Sequence, residues 1–126
     1  MRAMNIETLA NLKVNLVTPE LLTFIAGAQE ICRKHMATHF PNNALNFETV
    51  LQASAGSRYI RIVRAEYKKP VEMPAARVSG SSHCFIDRTN GDVLKAASWK
   101  TPAKGARGNI FDAQKGLGRM GPYGAA

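Results

Sequence analysis

Trp99 is the single tryptophan of the chain, and it stands in a run, KAASWKTPAKGARGNIFD (95–112), that also carries Lys95, Lys100, Lys104 and Arg107. A ring among cations has a definite chemistry. An exposed indole face stacks on a nucleobase for about 1–3 kcal/mol, while the cations track the phosphates of a single strand. A second set of the same kind lies upstream in RYIRIVRAEY (58–67), where Arg58, Tyr59 and Arg61 combine a phenol ring with two guanidiniums.

Two other groupings invite a chemical reading. CRKHMATH places Cys32, His35 and His39 at i, i+3 and i+7, close to one helical face, and all three are zinc-ligand types. A fourth ligand is missing unless His83 or Cys84 closes the site, and histidines are favourable at a helix C-terminus in any case. No metal and no other cofactor is therefore assigned. His83, Asp87, Asp92 and Asp112, with Arg107 as an anion clamp, would make a nuclease-like set. Two of those aspartates flank a turn, however, where Asp serves turn chemistry. PAKGARGN lacks the Gly-Lys-Ser/Thr ending of a phosphate-binding loop, and no nucleophilic serine or cysteine stands out, so the chain is not read as an enzyme.

The charge distribution favours the first grouping. Residues 1–57 hold four cations and four anions, whereas residues 58–126 hold thirteen cations against five anions and so carry the whole net charge of +8. A basic half is the electrostatic footprint of a nucleic-acid surface, because neutralising phosphates releases counterions. No stretch approaches the roughly 20 apolar residues of a membrane span, and the N-terminus has no apolar run leading to a cleavage site. The expectation is a soluble cytoplasmic protein with no membrane partner, in which Cys32 and Cys84 are partly buried, reduced thiols.

The elements that must position these residues follow from periodicity. In VTPELLTFIAGAQEICRKHMATHF, Leu21, Phe24, Ile25, Ala28, Ile31, Cys32, His35 and Met36 recur at three and four, which predicts a helix with one apolar face. Thr18 is placed to cap it, Pro19 suits its first position, and Pro41 ends it near Phe40. NIETLANLKVNL is a shorter helix expected upstream. Beyond Pro41 the period changes to two. NFETVLQAS suits a strand or a short helix, and RYIRIVRAEY reads as a strand, with Ile60 and Ile62 on one side and Tyr59, Arg61, Val63 and Tyr67 on the other. KKPVEMPAARVSGSS reads as a loop. HCFID and DVLKA flank Asn90-Gly91, a strong hairpin signal.

The expected architecture is an α+β domain spanning 1–126: one or two N-terminal helices (1–45) packed on a three- or four-stranded antiparallel sheet (46–100), with an irregular basic tail (101–126). If Cys84 and Ile86 face the helix, strict alternation sends His83, Phe85 and Lys95 to the outer face beside Arg61 and Tyr59. Tyr59, Phe85 and Trp99 would then stack on bases, and Arg58, Arg61, Lys95, Lys100, Lys104 and Arg107 would meet phosphates.

The run SSHCFIDRTNGDVLKAASWKTPAKGARGNIFD (81–112), with the terminal GPYGAA, resembles a motif of small bacteriophage-encoded proteins, among them a single-stranded-DNA-binding transcription regulator, Drc. The resemblance covers the last third of the chain. It implies phage origin, expression in the host cytoplasm and a part in replication or early transcription, and it supplies no catalytic residues. The expected function is binding of single-stranded nucleic acid, DNA before RNA, by a homodimer or homotetramer, since linked sites on one strand raise effective concentration. The competing expectation is a minor virion protein whose basic tail docks on DNA or a partner subunit.

Overall fold

The computed structural model describes residues 12–73 and 75–126. The expected upstream helix in 5–16 falls largely outside the described residues. The long helix α1 spans Pro19–His39, with Pro19 in its first turn and Phe40 closing it through an N–H bond to the Met36 carbonyl. Thr18 occupies the N-cap position but makes no side-chain bond to the helix. Its hydroxyl is turned back to accept the Asn15 N–H at 2.8 Å, so it closes the preceding turn instead. A six-residue helix α2, Pro41–Asn46, follows where turn chemistry was expected.

Five strands form one antiparallel sheet in sequential order: β1 Phe47–Ala55, β2 Tyr59–Lys68, β3 Ser79–Asp87, β4 Asp92–Ala96 and β5 Pro102–Asn109. A small pair, β6 Met120–Gly121 and β7 Gly124–Ala125, completes the fold. The architecture is α+β, with helix packed on antiparallel sheet. It has one strand more than the three or four expected, because residues 102–109 pair with β4 rather than trailing as an irregular tail. That strand has no alternation to read: it is PAKGARGN, it lies at the sheet edge where an initial proline is tolerated, and its pairing with β4 shifts register twice.

The two faces of the sheet divide the molecule. On the inner face, Leu21, Phe24, Ala28 and Cys32 of α1 meet Leu51, Ile60, Ile62, Cys84, Ile86 and Val93, with Ile110 and Ala125 closing the end. Burial of this helical stripe is the main driving force for the fold. Gln29 ties α1 to β1 by accepting the Leu51 N–H at 2.7 Å. The segment after β5 is folded back over the same side. Gly116, at φ +79°, lies where a Cβ would press on Val93 and Phe24 at 3.0 and 3.1 Å, and Gly124, at φ +124°, would drive a Cβ into the His83 carbonyl. Both positions need glycine for its backbone and for lack of room. On the outer face, Val63, Ala65 and Tyr67 form a second, smaller cluster with Val50, Val71 and Ala75. Val71 and Ala75, from the described part of the β2–β3 connection (the 69–78 loop, residue 74 aside), thus cover one end of that face and leave the other open.

Phe24 is fully buried in the main cluster. Phe24→Ala should lower the unfolding free energy by about 3–5 kcal/mol, read as a lower urea midpoint at unchanged slope.

Candidate nucleic-acid interface

Trp99 sits at the tip of the β4–β5 connection, in a turn built by short polar side chains. The Ser98 and Thr101 hydroxyls bond each other at 2.7 Å, Ser98 Oγ accepts the Thr101 N–H at 3.1 Å, and the Ala97 N–H reaches the Thr101 carbonyl at 3.0 Å. From β3, the Ser82 hydroxyl donates to the Trp99 carbonyl at 2.8 Å and pins the turn against the open end of the outer face. Trp99 is 39% exposed. Two guanidiniums lie over it: Arg61 from β2, with Cζ 4.8 Å from the ring centroid, and Arg77 from the 69–78 loop, at 5.5 Å. These distances are within the range of cation–π attraction.

Beside the indole runs a groove of about 420 Å³, lined by Ser54, Arg58, Tyr59, Arg61, Phe85 and Lys100 among others. Its lining holds three cations and no carboxylate. Tyr59 and Phe85 meet edge to face, with centroids 6.3 Å apart. Arg58 lies over the Tyr59 ring at 5.4 Å and pairs with Asp87 at 3.4 Å. Arg61 Nε is buried and has no hydrogen-bond partner among the described residues. On the other side of Trp99 a shallower groove is lined by Gly80, Ser81, Ser82 and Ser98.

Six of the nine residues singled out from sequence, Arg58, Tyr59, Arg61, Phe85, Trp99 and Lys100, therefore come together here. Phe85 is only 2% exposed. It forms the floor against which Tyr59 packs, and not a free stacking face. Lys95 lies elsewhere, because the hairpin register pairs it with Cys84 and pairs Leu94 with Phe85. Leu94 occupies the outer face and Lys95 the helix-side face, contrary to expectation. Lys104 is exposed on edge strand β5. Arg107 is occupied within the fold, its guanidinium donating to the main-chain oxygens of Lys104, Gly105 and Ala126. Arg77 and Ser82 join the site unforeseen. Both lie in a stretch read as a loop, and the outermost half of β3, SGSS, has no apolar alternation to mark it.

His83 also departs from expectation. Ile62 pairs with Cys84 and Val63 with Ser82, so His83 is the extra residue of a β-bulge, and alternation fails there. The imidazole is 2% exposed, and neither ring nitrogen has a partner among the described residues. Burial, reinforced by the nearby Arg64 charge, depresses its pKa to about 4. Both cysteines are free and buried, and burial raises both thiol pKa values. Such thiols stay protonated and inert.

The remaining groupings are spent on structure. Cys32 turns inward, its thiol 3.4 Å from the Pro122 carbonyl, whereas His35 stacks on His39 at 4.6 Å and bonds the Tyr123 hydroxyl at 3.2 Å. No group of three or more His, Cys, Asp or Glu among the described residues is placed to hold a metal ion. Asp87 accepts from Thr89 in the β3–β4 turn, and Asp92 accepts from Asn109. The Asp112 carboxylate collects the N–H groups of Asn109, Gln114 and Gly116, and these bonds, that from Gly116 foremost, lower its pKa.

A family model matches residues 3–120. The chain belongs to a family of unknown function (DUF7717). The match spans the described helix, the five-stranded sheet and the Trp99 turn, so the whole platform lies within the family's boundaries. No curated protein and no solved structure matches the chain. No helix among the described residues is long and apolar enough to cross a membrane.

The His83 environment gives a pH dependence of known sign. The unfolded imidazole takes a proton near pH 6.5 and the folded one near pH 4. Between those values the unfolded state binds more protons, so stability falls as the pH drops through this window and levels off below it. The loss is roughly 3 kcal/mol. Urea unfolding of the protein and of His83→Leu from pH 7 to 4 should give curves whose difference changes by about that amount.

Proposed function

We propose that this chain binds single-stranded nucleic acid, DNA before RNA, across the open end of the outer sheet face. The observation that carries the reading is the half-exposed Trp99 indole beside a groove lined by Arg58, Arg61 and Lys100 with no carboxylate. Duplex DNA keeps its base faces stacked inside, so an exposed ring has nothing to bind there. An unwound strand offers both the base to Trp99 and Tyr59 and the phosphates to the cations. The Arg61 and Lys100 side chains lining the groove favour the same ligand, since a phosphate oxygen is a strong acceptor for a charged donor.

The groove is short, and a single platform of this size holds a strand weakly. Several copies on one strand gain by effective concentration, which is the reason to expect a homo-oligomer. The resemblance of residues 81–112 to small bacteriophage proteins supports a role in phage replication or transcription within the host cytoplasm. No catalytic step is assigned to these residues.

The test is a titration of Trp99 fluorescence with an oligothymidylate, with the matching duplex as control, at several salt concentrations. The expected result is salt-sensitive quenching by the single strand and much weaker quenching by the duplex. Trp99→Ala should weaken binding by the stacking value of one base, about 1–3 kcal/mol, and Lys100→Ala should reduce the slope of log K against log salt by about 0.7. Equal binding of duplex and single strand, or unchanged affinity in a folded Trp99→Ala protein, would overturn the reading. An oligouridylate that binds more tightly than the oligothymidylate would make RNA the ligand.

A further inference from the structure

We infer that Arg77 is a displaceable cover on Trp99, held over the indole in the free protein and exchanged onto a phosphate when a base takes its place. The inference rests on the reading of this face as a single-strand site. It starts from a difference between the two guanidiniums that share the ring.

Arg61 is rooted in β2, its third residue, and is half-buried, with its Nε out of solvent contact. With its Nε packed away from water, it is less free to leave the indole than an exposed side chain. Arg77 comes from the 69–78 loop and is exposed; among the described residues it has no hydrogen bond or ion pair, and its guanidinium lies over the indole. The loop around it is held independently of that contact. Val71 and Ala75 pack on the Val63, Ala65 and Tyr67 cluster, and the Val78 N–H bonds the Glu66 carbonyl at 2.8 Å. The side chain can therefore swing while the loop stays docked. Gly80 contributes the room: a Cβ there would lie 3.1 Å from the Arg77 guanidinium.

A base stacking on Trp99 competes with whatever already covers the ring. Removing Arg77 from the indole forfeits a cation–π contact, and a strand's phosphate recovers it as a charge-assisted hydrogen bond. A neutral base without a phosphate offers no such recovery. The cover thus selects for a polyanionic strand over free nucleosides and over apolar rings, which would otherwise find an exposed indole.

The exchange predicts opposite effects at the two ends of the salt range. At low salt, Arg77→Ala loses a phosphate contact and binds an oligothymidylate more weakly than the parent. At high salt that contact is screened, the uncovered indole dominates, and the variant binds as tightly or more tightly. The lines of log K against log salt therefore cross, with the variant's slope smaller by about 0.7. In the free protein, acrylamide should quench Trp99 more strongly in Arg77→Ala than in the parent, with Arg77→Lys between them.

Parallel salt lines together with unchanged acrylamide quenching would overturn the cover while leaving single-strand binding intact. A slope change with unchanged quenching would make Arg77 a plain phosphate contact and overturn the cover as well. Failure of the folded parent protein to bind any oligonucleotide would overturn both this inference and the function on which it rests.

Discussion

Burial of the α1 stripe against the inner sheet face is the constraint on which the rest of the molecule depends. Leu21, Phe24, Ala28 and Cys32 can leave water only by meeting Ile60, Ile62, Cys84 and Ile86. Because side chains alternate along a strand, committing those residues inward commits Tyr59, Arg61 and Phe85 outward. The rings and cations of the open face are consequences of the core behind it. A one-residue slip of β2 would exchange the two sets and leave neither a core nor a binding face.

The outer face is itself divided by chemistry. At one end, Val63, Ala65 and Tyr67 are apolar and take the 69–78 loop as a cover. At the other, Tyr59, Arg61 and Phe85 cannot be capped by a loop without burying a guanidinium, and this end stays open beside Trp99. Asp87 is buried, accepts from Thr89 and pairs with Arg58, which offsets one of the groove's three cations and leaves Arg61 and Lys100 to carry its positive charge. The positive potential of the groove thus survives within a chain that does carry acids.

Much of this was legible along the chain. Helix α1 announced itself by period and by Pro19 and Pro41, β2 by its alternation, and the β3–β4 hairpin by Asn90-Gly91, where Gly91 takes φ +86°. Trp99 among lysines and Arg61 on an alternating strand were visible as members of one site before any geometry. Three things were not. β5 consists of Pro, Gly, Ala, cations and a final Asn, held chiefly by main-chain bonding to β4, which leaves no alternation to read. The His83 bulge inserts one residue, so counting by twos from Cys84 misassigns what precedes it. The face of Lys95 is not legible, because Val93 and Leu94 are both apolar and alternation alone does not say which one points inward.

The amino-acid sequence by itself determined the class of fold, the apolar stripe, the principal strand and the chemistry available to a site, because these depend on residue type and on spacing within one element. Only the tertiary structure decided which cations share the indole. Arg61 and Arg77 are sixteen residues apart and reach Trp99 from a strand and a loop, a convergence set by strand order and register. The same register turned Lys95 away, while Arg107 folds back onto main-chain oxygens of its own strand and of Ala126. Residue type states what a side chain can bind; pairing across strands states what stands beside it.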